Sequence, residues 1–293
     1  MVVLTLALLV VAAAVGVGWR CRTQALAWVQ PPRTAGADAP PATAPPGTSG
    51  GWLTATDGTR LRYWFVPGGG APPHPAVVLL HGLTANRDAM LPRAAVLARH
   101  GISSLALELR GHGASGGDYT TLGEREPGDV APALAWLTAR ADVDRNRLAL
   151  LGHSLGAIVA LRAAAAQPAI GAVVAESAFV SIAAIAPAVI TGLSGRRPMP
   201  SAGVVLWTMD RITGAAPSRV RVDDVVPTLD QPLLFVHGSL DPLAPADGAT
   251  RLAGLARNGT LALLPGAAHA DLLERDPAGY QRAVTAFLGR AWR

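Results

Sequence analysis

The sequence predicts an α/β fold, a mainly parallel, eight-stranded sheet with helices on both faces and an antiparallel hairpin at one end. Three observations predict it. From residue 52 onward, short β-branched and leucine runs alternate with segments of helical period, which is the order a parallel sheet with crossover helices produces. The runs are continuous rather than alternating, as in "AVVLLHG" at 76–82, and so suit strands buried on both faces. Between "WLTAT" and "TRLRYWFV" stands Asp57-Gly58, a pair that supplies the positive φ of a tight hairpin.

Taken in order, the chain opens on "MVVLTLALLVVAAAVGVG", eighteen residues without a charged side chain, followed by Trp19-Arg20. Residues 1–19 therefore read as a transmembrane or signal-anchor segment, long enough for a thin bilayer. A cleaved signal peptide fits less well. The start carries no basic side chain, and Arg20 and Arg22 stand before Ala25-Leu26-Ala27, where a cleavage site would fall. The arginines at 20, 22 and 33 favour a cytoplasmic position for the C-terminal side of the span, whereas export leaders resemble this run too, so the side of the membrane stays open. Cys21 is the single cysteine. It excludes an internal disulfide and a thiolate-cluster metal site; beside a span it is open to palmitoylation, though an unmodified thiol is the expectation.

Residues 20–51 are expected to be a linker. From Pro31 to Gly51 the chain is rich in Pro, Ala, Thr and Gly, with no apolar period by which to pack, and reads as an extended tether. The domain then runs over 52–293. "NRDAMLPRAAVLARHG" is helical and closes at His100-Gly101. "SSLALEL" is a strand, and "EREPGDVAPALAWLTAR" a helix with an acidic start that suits the macrodipole. "RLALLG" is a strand with a helix behind it; "GAVVAES", "PLLFVHG" and "TLALLPG" are further strands, and a last helix covers about 274–290.

Hydrophobic residues make up 50% of the chain and charged residues 15%, enough apolar material for a large core. All 25 basic residues are arginines, and the net charge is +5. They are scattered, with no aromatic-basic patch, so no nucleic-acid partner is expected; attraction to an anionic membrane surface explains the charge better.

"RLALLGHSLGAIVALRAAAA" carries the chemistry. A strand ends, Gly152-His153-Ser154-Leu155-Gly156 makes a sharp turn, and a helix begins. Side chains at 152 and 156 would collide with the neighbouring strand and helix, and the turn lifts the Ser154 hydroxyl above the sheet beside a helix N-terminus. A serine hydroxyl needs a base, and the base an orienting acid. His269 follows the last strand in "LLPGAAHADLL" and Asp241 the strand before it in "LLFVHGSLDPLAP"; the order Ser154, Asp241, His269 is that associated with such an elbow. Asp247 and Glu176 are rival acids, the first expected at the next helix, the second structural. Backbone amides of Leu83 and Leu155 are placed to hold an oxyanion. His81 and His153 flank the site as packing or bracing groups. "GHG" at 111–113 lacks the lysine and spacing of a phosphate loop and reads as a tight turn. No histidine pair has metal-ligand spacing, and neither metal nor cofactor is expected.

The stretches "HGLTANRDAM", "LELRGHGASGG", "TTLGEREPGDVAPALAWL", "LGHSLGAIVA", "HGSLDPLAPADGA" and "LPGAAHADLL" resemble the α/β-hydrolase superfamily, and within it the Bem46-like and monoglyceride-lipase-like serine hydrolases, over about residues 52–291. The serine at 154 excludes the branches that use an aspartate nucleophile. The resemblance implies a lid at about 178–230. That stretch is small-sided and apolar and would suit an acyl chain, or it packs as ordinary helices; Arg196 and Arg197 within it read as solvated loop charges. The expected activity is hydrolysis of small-molecule carboxylic esters, thioesters or lipids through an acyl-enzyme. An amidase or peptidase of the same fold, and a membrane-tethered domain that only binds a partner, are the alternatives.

Overall fold

The structure is a computed structural model that describes residues 2–33, 38–194 and 201–293. Its sheet has eight strands, β1 (Ser49–Thr54), β2 (Arg60–Val66), β3 (His74–Leu80), β4 (Ser103–Leu107), β5 (Val143–His153), β6 (Ile170–Glu176), β7 (Leu233–Gly238) and β8 (Gly259–Leu264). Their spatial order is β1-β2-β4-β3-β5-β6-β7-β8. β1 and β2 pair antiparallel, as do β2 and β4, and every later pairing is parallel. The hairpin turns at Gly58, φ +84°, where the Asp57 carboxylate accepts from the Thr59 amide, so the Asp-Gly pair does what its chemistry predicts.

The helices are α1 (Val2–Val29), α2 (Leu91–Arg99), α3 (Pro127–Thr138), α4 (Leu155–Ala166), α5 (Ile182–Ser194), α6 (Ala202–Thr213), α7 (Ala246–Leu255), α8 (Leu272–Arg275) and α9 (Pro277–Ala291). Successive strand residues face opposite ways, and β3 shows the result. Ala76, Val78 and Leu80 join the core shared with α3 and α4, while Val77 and Leu79 join the one shared with α2 and α9. All five are fully buried, which is why the run could be continuously apolar.

The N-terminal region departs from the expected tether. A single helix runs from Val2 through Val29 and is long and apolar enough to cross a membrane, with an eighteen-residue stretch of mean hydropathy 2.0. Its first half stands clear of the domain. Its last turns do not: Cys21, Ala25, Trp28 and Val29 are buried in the same core as β3 and α4. Their spacing, i, i+4, i+7, i+8, is one helical face. Arg20 and Arg22, which mark the end of the apolar run, therefore end neither the helix nor the ordered chain. Buried Cys21 is closed to an acylating enzyme, and Ala25 of the would-be cleavage site lies inside a packed helix.

The following linker is laid on the domain rather than free. The Val29 carbonyl accepts from the Thr120 amide at 2.8 Å. The Arg33 guanidinium donates to the carbonyls of Ser115, at 2.7 Å, and of Gly117, and Arg62 pairs with Asp38 at 2.9 Å. Local composition conceals these contacts because their partners come from distant loops.

The expected lid region contains α5 and α6. Ser201 caps α6 by accepting from the Val204 amide, and Gly214, φ +60°, ends it, each residue at the position its chemistry favours. The helix α6 packs against α1, its Val205, Leu206 and Met209 sharing a core with Cys21 and Trp28. Arg196 and Arg197 lie outside the described residues.

Candidate active site

Ser154 sits between β5 and α4 with φ +53° and ψ −113°, a conformation that costs a non-glycine residue about 1–3 kcal/mol and is held only by its surroundings. Those surroundings are glycine-dependent. A Cβ on Gly152 would lie 2.0 Å from the Gly156 carbonyl oxygen, and one on Gly156 would lie 2.1 Å from that of Leu80. The backbones of β3, β5 and α4 thus close on one another at the turn, and the serine hydroxyl is pushed out above the sheet.

There it meets its partners. Ser154 Oγ is 2.8 Å from His269 Nε2, and His269 Nδ1 is 2.7 Å from Asp241 Oδ2. The loops after β5, β7 and β8 bring these three side chains together at the carboxyl ends of parallel strands, reaching across the end of β6, which lies between β5 and β7. Asp241, not Asp247 or Glu176, is the acid that His269 reaches. The Asp241 carboxylate is buried, and its Oδ1 accepts from the amides of Leu243 and Ala244, each at 2.9 Å. Burial alone would raise its pKa; hydrogen bonds from His237, His269 and the Ala244 amide hold it well below the ordinary carboxylate range instead. It is therefore an anion at neutral pH, facing the imidazole.

His237 was not legible as part of this site. It is fully buried at the end of β7, its Nε2 2.6 Å from the Ala244 carbonyl and 3.3 Å from Asp241 Oδ2. Its one sequence signal is a histidine four residues before the acid in an otherwise apolar strand. Glu176 and Ser177, at the end of β6, also contribute more than their sequence context suggests. The Glu176 carbonyl accepts from the Ser154 amide at 2.8 Å, and the Ser177 hydroxyl donates to the His269 carbonyl at 2.8 Å. The Glu176 carboxylate is fully buried and bonds Arg93 Nε at 2.8 Å and the Tyr280 hydroxyl. Burial would raise its pKa, but the adjacent Arg93 charge draws it down to about 2. His153, whose pKa burial lowers, packs 5.5 Å from the His269 ring.

Leu83 follows a glycine that runs beside the nucleophile: a Cβ on Gly82 would lie 3.4 Å from the Ser154 Cβ. Leu155 is the first residue of α4, where an amide has no intrahelical acceptor. Both expected oxyanion donors are thus on the backbone around the serine. His81 braces this loop, accepting from the Leu109 amide at 3.1 Å through Nε2 and donating to the Gly82 carbonyl through Nδ1. Burial pushes its pKa down to about 3, so it stays neutral in that role. Gly111 and Gly113 both have positive φ, which makes "GHG" a tight turn.

A cavity of about 550 Å³ opens at Ser154 and His269, lined by Leu83, Ala89, Met90 and Leu243, with Arg93 and Glu274 as its charged groups. Among the described residues, none from α5 or α6 lines it. The cavity is lined by the loop after β3, the segment leading into α2, the loop after β7 at Leu243 and the segment around α8.

The chain is similar to several known proteins. The family model described as "Serine aminopeptidase, S33" matches residues 71–214. The uncharacterized protein YfhR of Escherichia coli O157:H7 is 30% identical over 225 residues, 75% of this chain and 72% of the relative. The Alpha/beta hydrolase domain-containing protein WAV2 of Arabidopsis thaliana is 26% identical over 202 residues, 66% of this chain and 62% of its own length. The Pyrococcus furiosus esterase Pf2001 superposes with a TM-score of 0.72 at 24% identity, covering 90% of this chain and 98% of that one, a likeness of fold.

Proposed function

Because the chain belongs to the α/β-hydrolase superfamily, we propose that it is a serine hydrolase of carboxylic esters, held at a membrane by α1. The observation that carries this reading is the unbroken line from Ser154 through His269 to Asp241, with gaps of 2.8 and 2.7 Å. The Ser154 hydroxyl attacks the ester carbonyl as His269 Nε2 takes its proton. The anionic Asp241 keeps the other proton on Nδ1 and stabilises the imidazolium that forms. The Leu83 and Leu155 amides hold the oxyanion. His269 then protonates the departing alkoxide, and a water activated by the same imidazole releases the acid from Ser154.

Apolar Leu83, Ala89, Met90 and Leu243 favour an apolar acyl group in the cavity. The test is turnover of p-nitrophenyl esters from acetyl to palmitoyl by the full chain in detergent, wild type against Ser154→Ala. Ser154-dependent hydrolysis is expected, and its chain-length optimum measures the cavity. Failure of a fluorophosphonate to label folded protein at Ser154 would leave a binding role in its place.

Hydrolysis of aminoacyl amides is a second reading. It is favoured by the aminopeptidase description of the matching family model and by the Glu274 carboxylate at the cavity, which suits a substrate ammonium. A parallel panel of aminoacyl p-nitroanilides separates the two.

A further inference from the structure

The helix α6 buries one face against the domain and leaves the other unpartnered. Val204 and Trp207 are 44% and 57% exposed, and the Arg211 guanidinium lies 5.1 Å over the Trp207 ring. The three residues follow one another at i, i+3 and i+7 and so form a single stripe. The buried face of α6 packs on α1, and α1 carries a matching group at the end of its apolar run: Trp19, 67% exposed, followed by Arg20 and Arg22. Among the described residues none of these three arginines pairs with a carboxylate. Tryptophan and arginine together are the side chains that settle at a membrane surface, the ring at the headgroup level and the cation on lipid phosphate.

We propose that α6 is a second membrane contact, lying along the headgroup layer of an anionic bilayer that α1 crosses, with Val204 and Trp207 inserted and Arg20, Arg22 and Arg211 on lipid phosphates. The inference rests on the reading of α1 as a membrane anchor. Two features single out a lipid surface as the occupant. The cations Arg20, Arg22 and Arg211 have no carboxylate partner among the described residues and complement an anionic surface. The helix α1 also passes unbroken from its apolar run into the domain core, which fixes α6 relative to the bilayer normal. A domain on a flexible tether would tumble; this one is held by a helix buried at Cys21, Ala25, Trp28 and Val29, so the active-site cavity keeps one height and one orientation above the lipid.

The experiment uses the full chain with Cys21→Ala and one new cysteine at 204, 207 or, as an exposed control on α7, 250. Each variant is spin-labelled and reconstituted in vesicles of phosphatidylcholine with phosphatidylglycerol. Labels at 204 and 207 are expected to lose collisions with a water-soluble nickel chelate and gain collisions with oxygen relative to detergent, while 250 does not change. Arg211→Glu is expected to reverse part of that change. Labels at 204 and 207 that stay as open to the chelate as 250 would overturn the proposal, as would spin–spin broadening at 207, which would put a second copy of the chain there. Carbonate extraction of the same vesicles separates the two readings. Protein that washes off removes both the anchor and the second contact, whereas protein that stays bound with aqueous labels removes only the contact. An unchanged result in pure phosphatidylcholine would overturn the anionic-headgroup assignment.

Discussion

Ser177 donates its hydroxyl to the backbone carbonyl of His269 at 2.8 Å, and the residue before it accepts the amide of Ser154 at 2.8 Å. The end of β6 thus ties together the two loops whose side chains must meet for a proton to pass. Ser177 has φ +48°, a strained conformation for a side chain, and it is fully buried.

Ser177→Ala is expected to lower kcat by about tenfold with KM little changed, the worth of one net hydrogen bond at the base. Steady-state kinetics on a short-chain ester, alongside the thermal midpoint, check this. A lost midpoint with unaltered kcat would make the bond structural only.

Asp241→Asn is expected to cost about 10⁴-fold in kcat by presenting His269 with the wrong tautomer partner, while the fold persists because the amide oxygen still accepts from Leu243 and Ala244. The variant is assayed beside Ser154→Ala, and the two losses should not add, since both residues act on one proton transfer.

Glu176 sets a pH dependence of stability. Its carboxyl falls from 4.5 to about 2 on folding, because the Arg93 charge outweighs burial. A carboxyl depressed in the fold contributes its stability in full above the unfolded pKa and loses it as pH drops through the folded one. Wild-type protein should lose roughly 3 kcal/mol between pH 5 and pH 2 from this group. Glu176→Gln is expected to be less stable at pH 7, where it leaves the Arg93 charge buried and unpaired, and to show a flatter slope below pH 5. Urea titrations in detergent at several pH values read both.

Trp28→Ala tests the seating of α1. Removing a fully packed indole should destabilise the domain by about 3–5 kcal/mol, although a free tether would predict no effect. Chemical denaturation followed by far-ultraviolet circular dichroism measures it.

Much of the site was legible because its signals are local. The Gly152 and Gly156 spacing around Ser154 is forced by backbone approach within one turn, and the placement of Asp241 and His269 after successive strands follows from the α/β alternation. His237 and Ser177 were not, since a buried histidine or a serine after a strand acquires meaning only from the loop packed on it.

By itself the sequence determined the eight-stranded alternation, the elbow at Ser154, the chain order of the acid and histidine, and an apolar N-terminal helix. Each of these is written in the period of side chains along one segment or in the steric demand of one turn. Only the tertiary structure decided that α1 enters the core, that α6 serves as its seat and does not line the cavity, and that Asp241 rather than Asp247 reaches His269. These outcomes depend on which distant surfaces meet, and a face such as Cys21, Ala25, Trp28 and Val29 has the same spacing whether it packs on lipid or on protein.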